Sequence, residues 1–455
     1  MRPGDRVAIL SKNRAEYYEL IYAANKLGAI LVCLNWRLSA REIGQILADA
    51  GPVIVLADDM GAALLPETVP GAEVLRFGAA FDALRDAARA TDPDHDGVAD
   101  DVALILYTSG TTGLPKGVML TNRGMSYTAR LAEAWGMTDR SVNLVAMPLF
   151  HIGGCGYGSS TMLAGGHTVL TADVDIGLII DLIQRHRVTN TFMVPAVVQS
   201  LLNDLRVKDA DFSSMGLLMY GAAPMGDVLL RRAIETLGCK FMHAYGMTES
   251  SGTVGCLGPE WHDPDGAHSH LLKCCGKALP WVDLRVVNPA DGTDMPTGEV
   301  GEIWLRTPML MKGYWHNDAA TAEAIVAGGW FRTGDAAYLD AEGHVFLFDR
   351  YKDMIISGGE NIYPAEIENV LNGHDAVAQV GVIGVAHDRW GETPLAVVVV
   401  RPERSVTAEA LLHYTRAHLA RYKCPSRIVF ADSLPRNASG KLLKGELRKL
   451  YGAGT

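Results

Sequence analysis

The sequence of 455 residues predicts an α/β protein with a large N-terminal domain, residues 1–350, and a small α+β C-terminal domain, residues 351–455. Three observations lead to this prediction. Short apolar segments alternate with amphipathic ones as far as Met219, strand-like segments separated by glycine turns follow Leu279, and a compact helix-and-strand unit follows Asp353. Such alternation is typical of parallel sheets covered by helices. We therefore expect parallel sheets and a smaller β-rich part in the large domain.

The alternating part is predicted from the spacing of its apolar residues. Val7–Leu10 is a short apolar strand, and Ala15–Leu27 has helical spacing that Gly28 ends. Ser39 is suited to cap a helix that runs to Ala50. The other strands predicted in this part are Ala29–Leu34, Val53–Ala57, Val102–Leu106, Thr168–Leu170, Thr191–Val194 and Leu217–Met219.

The remaining segments differ in character. The strands predicted in the β-rich part are Leu284–Val287, Glu302–Arg306 and His344–Leu347, with turns at Asp291-Gly292 and Glu342-Gly343. The C-terminal domain is expected to begin after Arg350–Lys352. Its predicted elements are a helix from Pro364 to near Gly373, strands Val377–Val385 and Leu395–Val400, helix Glu409–Leu419 and a short basic helix Lys441–Leu450.

Composition excludes several classes of protein. Hydrophobic residues make up 48% of the chain, charged residues 20%, and the net charge is −11. A chain with no basic block is not expected to bind nucleic acid. Seven scattered cysteines predict reduced thiols in the cytoplasm rather than a disulfide framework. No apolar run reaches the ~20 residues of a transmembrane helix. Peripheral membrane contact and oligomerisation stay open.

The segment most informative about function follows the strand Val102–Leu106. It runs from Tyr107 to Gly117, is rich in Gly, Ser and Thr, and carries one lysine. Backbone N–H groups, hydroxyls and a cation in such a loop can hold a polyphosphate. The kinase-type P-loop is excluded, because Pro115 and Gly117 stand where that motif needs Gly and Ser or Thr. The phosphate-loop residues are Thr108, Ser109, Gly110, Thr111, Thr112, Gly113 and Lys116.

This loop resembles the signature of the AMP-forming adenylating superfamily, which includes acyl-CoA synthetases, luciferases and the adenylation domains of peptide synthetases. Further motifs of that family follow in the same order along almost the whole chain. The resemblance implies ATP-dependent activation of a monocarboxylic acid to acyl-AMP, with release of pyrophosphate, and then thioester formation with coenzyme A. It also implies that the chain uses ATP, Mg²⁺ and coenzyme A, and that the small domain is a mobile lid.

The resemblance assigns further residues to the nucleotide. Tyr245 would pack on adenine, Thr248 would meet the α-phosphate, and Glu249 would hold Mg²⁺ together with Thr108. Asp335 and Arg350 would grip the ribose hydroxyls. The remaining adenine and ribose residues would be Gly221, Ala222, Ala223, Pro224, His243 and Gly246. These residue types suit the implied ligands, because Mg²⁺ prefers oxygen ligands and a carboxylate can accept hydrogen bonds from two ribose hydroxyls.

Catalysis and thioester formation are assigned in the same way. Lys441 would bridge the substrate carboxylate and the α-phosphate, where two anions must meet. His151, with Glu249 and Lys441, completes the implied catalytic set. The small domain would rotate about Lys352 between the two steps. The residues implied to line the coenzyme A channel are Gly358, Gly359, Glu360 and Asn361.

The acyl pocket is expected between the motifs. Its implied wall residues are His151, Gly153, Gly154, Tyr220, Ala244, Gly246 and Gly252. Since no Lys or Arg is among them, a second carboxylate would be buried without a cation. We therefore expect a medium or long aliphatic acid, or a bulky cyclic one, with a single carboxylate.

Alternatives remain at the level of the sequence. The enzyme could load a separate carrier protein instead of coenzyme A, or the chain could be a non-catalytic, truncated relative, because it begins where relatives have already passed a helical segment. A cluster of His262, His268, His270, Cys274 and Cys275 has poor spacing for zinc and is expected to be a polar loop.

Overall fold

The computed structural model describes residues 1–93, 95–108, 115–223, 225–350, 353–357, 360–387, 389–436 and 442–452. At positions 227, 349, 350, 360 and 361 it describes the backbone alone. Within these ranges the chain forms four sheets and thirteen α-helices. None of these helices is long and apolar enough to cross a membrane.

The first sheet is built mainly from the N-terminal segments. Its strands are β1 (Arg6–Leu10), β2 (Ile30–Cys33), β3 (Ile54–Ala57), β4 (Glu73–Arg76), β5 (Val102–Thr108) and β6 (Lys116–Thr121). They lie in the order β6-β5-β2-β1-β3-β4, and all neighbours are parallel except β5 and β6. The helices of this region are α1 (Glu16–Lys26), α2 (Ala40–Ala50), α3 (Asp59–Ala62) and α4 (Ala79–Asp86). Ser39 caps α2 reciprocally with Glu42, as its position predicted.

The second sheet repeats this parallel arrangement. Its strands are β7 (Val142–Val145), β8 (His167–Leu170), β9 (Asn190–Met193), β10 (Leu217–Gly221), β11 (Lys240–Met247), β12 (Gly252–Leu257) and β13 (Lys277–Ala278). They lie in the order β13-β12-β11-β10-β9-β7-β8, with β12 and β13 antiparallel. Its helices are α5 (Asn122–Ala134), α6 (Ile152–Leu163), α7 (Ile176–His186), α8 (Pro195–Asn203) and α9 (Asp227–Leu237). One face of the sheet packs beneath α6 and the other beneath α7 to α9.

The third sheet is antiparallel and contains the β-rich segments. Its strands are β14 (Asp283–Val287), β15 (Gly301–Arg306), β17 (Ile325–Val326), β18 (Trp330–Leu339) and β19 (Val345–Arg350). A short strand from the same region, β16 (Gly313–Tyr314), instead joins the edge of the first sheet beside β6. The helix α10 (Asp318–Ala324) follows it. Through β16, the segment between β15 and β17 therefore contacts β6, the strand that follows the phosphate loop.

The fourth sheet belongs to the C-terminal residues. Its strands are β20 (Ile355–Ser357), β21 (Glu360–Ile362), β22 (Val377–His387), β23 (Gly391–Val400) and β24 (Arg427–Phe430). The helices α11 (Pro364–Asn372), α12 (Ala408–His418) and α13 (Lys444–Tyr451) cover it. Two apolar clusters, centred on Val382 and Val397, fill its faces. The predicted α/β class, with parallel sheets, a β-rich part and an α+β unit, is confirmed; most element ends differ by one or two residues, as is usual.

Candidate active site

The two ends of the phosphate loop face each other across a hairpin. Thr108, the last residue of β5, pairs with Lys116, the first residue of β6. Tyr107 fixes the base of the loop, because its hydroxyl donates to Asp49 Oδ2 at 2.6 Å. On the other side, the backbone N–H of Trp315 donates to Gly117 O at 2.7 Å. Ser109, Gly110, Thr111, Thr112 and Gly113 lie outside the described residues.

Glu249 lies beside the hairpin that carries this loop. It belongs to a short 3₁₀ segment, Thr248–Ser250, which packs on β6. Its carbonyl oxygen accepts from Met311 N at 2.7 Å, and its Oε1 accepts from the Tyr314 hydroxyl at 3.2 Å. The Tyr314 ring also lies 4.9 Å from Lys116 Nζ. One buried aromatic side chain therefore links the loop lysine to a half-buried carboxylate.

Two residues expected to hold adenine and ribose are in direct contact. The hydroxyl of Tyr245 donates to Asp335 Oδ2 at 2.8 Å, although the residues are 90 positions apart. Asp335 also pairs with Arg350 across β18 and β19, so the backbones of both expected ribose residues are adjacent. The side chain of Arg350 is outside what the structure describes. The residues expected to bind adenine and ribose therefore lie side by side.

The turn that carries Asp335 is held by a buried carboxylate. Glu302 is 4% exposed, and its Oε1 accepts from Gly334 N at 3.0 Å. Its Oε2 accepts from Trp304 Nε1 at 2.9 Å and pairs with Arg332. A buried carboxylate with several donors is well compensated. Glu302 was not singled out from the sequence, although an acidic residue inside an apolar strand is a usable signal.

The expected adenine turn leaves β10 in a strained conformation. Ala222 has φ +62°, which an L-residue other than glycine seldom adopts. Gly221 is buried, whereas Ala222 and Ala223 are at least partly exposed, and Pro224 lies outside the described residues. At Gly246, a methyl group would come within 2.1 Å of Gly252 O, so the irregular pairing of β11 with β12 requires glycine.

His243 and Tyr220 form a stacked pair. Their ring centres are 4.8 Å apart with an interplanar angle of 3°, and the His243 Nδ1 bonds to Cys274 O at 3.0 Å. Burial lowers the pKa of His243. The assignment of Tyr220 to the acyl pocket is corrected here: its side chain is 1% exposed and belongs to the cluster under α7 to α9. Strand alternation places it on the face opposite Met219.

His151 is the N-cap residue of α6. Burial, and secondly the positive charge of Arg37, lowers the pKa of His151 to about 4. The imidazole is therefore neutral near pH 7. Its buried Nε2 has no hydrogen-bond partner among the described residues. Arg37 was not singled out from the sequence, because it lies far from every motif used there.

The expected acyl residues gather around the first turn of α6. A methyl group built at Gly153 would lie 3.5 Å from the Phe192 ring, and one at Gly252 would lie 3.8 Å from Ile152. Ala244 is buried on the same sheet face as Phe192. Gly154 packs against Pro148 O. The structure thus brings His151, Gly153, Gly154, Ala244, Gly246 and Gly252 to one region, with Phe192 as an additional wall.

The segment with five His and Cys residues is only in part the polar loop expected from the sequence, since His268 and His270 are exposed. His262, Cys274 and Cys275 are buried. Cys274 packs with Leu257 and Leu271 in an apolar cluster that Trp261 and Phe346 complete. The expectation therefore holds for His268 and His270 and is wrong for His262, Cys274 and Cys275, because long-range contacts such as those with β19 leave no trace in local composition.

The residues expected to handle coenzyme A are described only in part. Glu360 and Asn361 belong to β21, which pairs antiparallel with β20, and their side chains lie outside the described part of the chain. Gly358, Gly359, the hinge residue Lys352 and the catalytic candidate Lys441 also lie outside the described residues. Their roles stay predictions from the sequence.

Comparison with known proteins is consistent with this geometry. Residues 1–315 match the family model described as AMP-binding enzyme, and residues 366–441 match the AMP-binding enzyme C-terminal domain. A fatty acid–[acyl-carrier-protein] ligase, ScoC, from Streptomyces coeruleorubidus is 40% identical over 464 residues, 99% of this chain and 88% of the relative. A feruloyl-CoA synthase from an Amycolatopsis species is 40% identical over 462 residues, with 99% and 90% covered. Among solved structures, the Bacillus subtilis o-succinylbenzoate CoA synthetase in complex with its acyl-adenylate superposes with a TM-score of 0.86. The two sequences are 34% identical, and the match covers 98% of this chain and 89% of the synthetase chain.

Proposed function

Because the chain belongs to the AMP-binding enzyme family, we propose that it activates an aromatic monocarboxylic acid and transfers the acyl group to coenzyme A. The protein is an AMP-forming acid–thiol ligase that uses ATP, Mg²⁺ and coenzyme A. The proposal adds the class of acid and the roles of individual residues. The observation that carries those roles is the contact of Tyr245 with Asp335 beside the group formed by Lys116, Tyr314 and Glu249.

In the proposed arrangement, ATP lies between these two groups. Adenine packs on Tyr245 and the turn at Gly221, and the ribose hydroxyls bond to Asp335 and Arg350. The hydrogen bond from Tyr245 orients the Asp335 carboxylate before the nucleotide arrives. Preorganised acceptors of this kind need no rearrangement when the ligand binds. The triphosphate then extends toward Thr108 and Lys116, with the glycine-rich loop around it.

The residues present fit a magnesium ion. Glu249 supplies a half-buried carboxylate and Thr108 a hydroxyl, and oxygen atoms are the ligands that Mg²⁺ prefers. When bound, Mg²⁺ neutralises charge on the phosphate oxygens. Tyr314 donates to one oxygen of Glu249 and so fixes the direction of the carboxylate.

The chemical steps follow from the substrates. A carboxylate oxygen of the acid attacks the α-phosphorus of ATP, and pyrophosphate leaves. We assign Lys441 to the point where the two anions approach, since a cation there stabilises the charge that develops. We place the neutral His151 beside the acyl region, at the start of α6, where its buried ring excludes water from the reacting groups. The sulfur of coenzyme A then attacks the acyl carbon, and AMP leaves.

The second step needs different residues near the acyl carbon. We propose that residues 351–455 act as a lid that turns about Lys352 between the steps, relative to a large domain of residues 1–350. In the first orientation Lys441 faces the phosphates, and in the second the hairpin of β20 and β21 lines the coenzyme A channel. A hinge of few residues suits such a rotation.

Two observations favour an aromatic acid. The acyl region is bordered by Phe192, with Tyr157 at 5.8 Å behind it, and aromatic rings pack well against such walls. Two of the similar proteins are named for aromatic acids, feruloyl with one carboxylate and o-succinylbenzoate with two, and a third is named for fatty acids. A single carboxylate is proposed because none of the assigned wall residues is Lys or Arg; Arg37, whose charge lowers the pKa of His151, is the one described cation that acts on a wall residue in this way. We also propose that the enzyme acts in the cytoplasm.

A second acceptor is favoured by one specific observation. A relative with 40% identity is named as a ligase for acyl-carrier protein, so a carrier-bound thiol is the competing acceptor. Aromatic and aliphatic acids should be assayed for acid-dependent AMP formation, first with coenzyme A and then with a phosphopantetheinylated carrier protein. The proposal predicts turnover with aromatic acids and coenzyme A. Turnover only with aliphatic acids, or only with the carrier, would contradict it.

A further inference from the structure

Beneath Phe192 lies a buried polar cluster, formed by Asn143, Tyr157 and Asn190. Asn190 Nδ2 donates to the Tyr157 hydroxyl at 3.2 Å, and Asn143 Nδ2 donates to Tyr157 O at 3.5 Å. The two asparagines are direct neighbours on β7 and β9 and therefore lie on one face of the sheet. All three residues are 5% exposed or less. Such a cluster is costly inside an apolar core unless its bonds are satisfied.

The cluster has unused hydrogen-bonding capacity. Asn143 Oδ1 has no partner among the described residues, and neither has Trp135 Nε1, although both atoms are buried. Trp135 lies 5.7 Å from the Tyr157 ring. The Tyr157 hydroxyl accepts from Asn190, but it donates to no acceptor in the described part of the chain. Burial raises the pKa of Tyr157, so its hydroxyl keeps its hydrogen. One acceptor, Asn143 Oδ1, and two donors, the Trp135 Nε1–H and the Tyr157 O–H, are therefore available beside the Tyr157 side chain.

The position of the cluster connects it to the acyl region. Phe192 and Asn190 are two residues apart on β9, so their side chains share a face about 7 Å apart along the strand. Phe192 is partly exposed, and its ring lies against Gly153, Gly221 and Tyr157. The ring thus separates the space at the first turn of α6 from the polar cluster.

We propose that the polar cluster of Asn143, Tyr157 and Asn190 recognises a hydroxyl group on the acid, at the end of its aromatic ring opposite the carboxylate. This inference rests on the proposed function and names its substrate class more closely. The substrate hydroxyl accepts from Tyr157 and donates to Asn143 Oδ1. Phe192 turns aside as the ring enters and then packs on its face. The preferred substrates are hydroxyaryl acids.

The energetic reason concerns groups left unpaired. An acid that ends in a hydroxyl supplies an acceptor to the Tyr157 hydroxyl and a donor to Asn143 Oδ1, neither of which has one among the described residues, whereas an acid that ends in a methyl group leaves both without these partners. A site built to bond a substrate hydroxyl discriminates strongly against the analogue that lacks it. An apolar pocket distinguishes the same pair of acids only weakly. The hydroxyl-to-methyl preference therefore reports directly on the cluster.

The test uses three acids: 3-phenylpropenoic acid and its 4-hydroxy and 4-methyl derivatives. Acid-dependent pyrophosphate release gives kcat/KM for each. We expect the parent enzyme to prefer the hydroxyl over the methyl acid at least tenfold. Tyr157→Phe should lower kcat/KM about tenfold or more for the hydroxyl acid and leave the methyl acid within about threefold. Asn143→Leu should reduce the same ratio, which keeps the test available if Tyr157→Phe fails to fold.

Tyr18→Phe is the matched control. The Tyr18 hydroxyl donates to the backbone Gly154 O at 3.4 Å rather than to a residue of the cluster, so its loss should not alter the ratio. A parental ratio near one, or a ratio unchanged in both cluster variants, overturns the inference. Activity with unsubstituted 3-phenylpropenoic acid reports separately on the proposed function. An enzyme inactive with all three acids overturns both, whereas one active with all three equally overturns only the inference.

Discussion

The hydroxyl of Tyr314 donates to Glu249 Oε1 at 3.2 Å, while the ring of the same residue lies 4.9 Å from Lys116 Nζ. Tyr314 is held by a backbone bond to Thr321 Oγ1 at 2.9 Å and by the pairing of β16 with β6. It therefore positions the carboxylate proposed to hold Mg²⁺ relative to the lysine of the phosphate loop. The hydroxyl and the ring of Tyr314 serve different contacts, so a variant can separate them.

Tyr314→Phe should raise the Mg²⁺ concentration needed for half-maximal adenylation several-fold. The ring and its contact with Lys116 remain, but Glu249 loses the donor that orients it, which is a modest energetic loss of about 1 kcal/mol. A magnesium titration of pyrophosphate release measures this, and Mn²⁺ binding to the enzyme, followed by electron paramagnetic resonance, measures it without turnover. The exposed Tyr22→Phe is the control. Parental titration curves for Tyr314→Phe would show that the tyrosine does not position the metal ligand.

Lys441→Ala should abolish formation of acyl-AMP from acid and ATP, yet leave most of the thioester step when acyl-AMP and coenzyme A are supplied. The lysine is assigned to the approach of two anions at the α-phosphate, which does not occur in thiol attack. Single-turnover assays of each half-reaction give the comparison. Equal losses in both would remove Lys441 from its proposed role.

Much of this fold was predictable because its signals are local. The helix α2 carries its capping box in sequence, Ser39 followed by Glu42, and its amphipathic spacing ends at Gly51. The strands of the parallel sheets are apolar runs bounded by turn residues, which local patterns define well. Motif order placed Tyr245 and Asp335 in one site, and their side chains are indeed in contact.

The remaining features depend on contacts that the sequence does not encode locally. Tyr314 reaches Glu249 because β16 leaves its own region and joins the first sheet. Tyr220 was wrongly assigned to the acyl pocket because it precedes the motif residue Gly221 in sequence. The face of the sheet on which its side chain lies depends instead on the register of β10 with its neighbours. His262 was expected in a polar loop, yet it is buried and bonds to Tyr220, while Trp261 and Phe346 pack on the apolar cluster around Cys274.

His262→Gln should remove part of the acid sensitivity of stability. His262 bonds to Tyr220 Oη at 3.1 Å and to Gly258 O at 2.8 Å, and burial lowers its pKa to about 4. Between pH 6.5 and 4 the unfolded chain therefore binds a proton that the native state does not, so the free energy of unfolding falls as pH falls.

Because His262 binds a single proton, it can change the free energy of unfolding by at most about 1.4 kcal/mol per pH unit. Denaturant unfolding of parent and variant from pH 7 to 4.5 measures the two slopes. The exposed His413→Gln should keep the parental slope. A parental slope in His262→Gln would show that His262 is not the neutral buried group described.

Lys352→Pro should separate the two half-reactions at the proposed hinge. Proline fixes φ near −65° and removes one backbone donor, so a residue that must change its dihedrals can no longer do so. We expect the variant to release pyrophosphate in a burst but to transfer little of the acyl group to coenzyme A. Rapid-quench measurement of bound acyl-AMP reports this accumulation. Both steps at parental rates would place the pivot elsewhere, and Lys352→Ala controls for loss of the lysine itself.

The central claim is that a carboxylate oxygen attacks the α-phosphorus of ATP. The most direct measurement is the turnover of an aromatic acid labelled with ¹⁸O in both carboxylate oxygens, with mass spectrometry of the nucleotide and phosphate products. Since AMP leaves the acyl carbon with the attacking oxygen, the account predicts one ¹⁸O atom in AMP, none in pyrophosphate, and one acyl-CoA for each AMP. Label in inorganic phosphate together with unlabelled ADP, as an acyl phosphate mechanism would give, would contradict it.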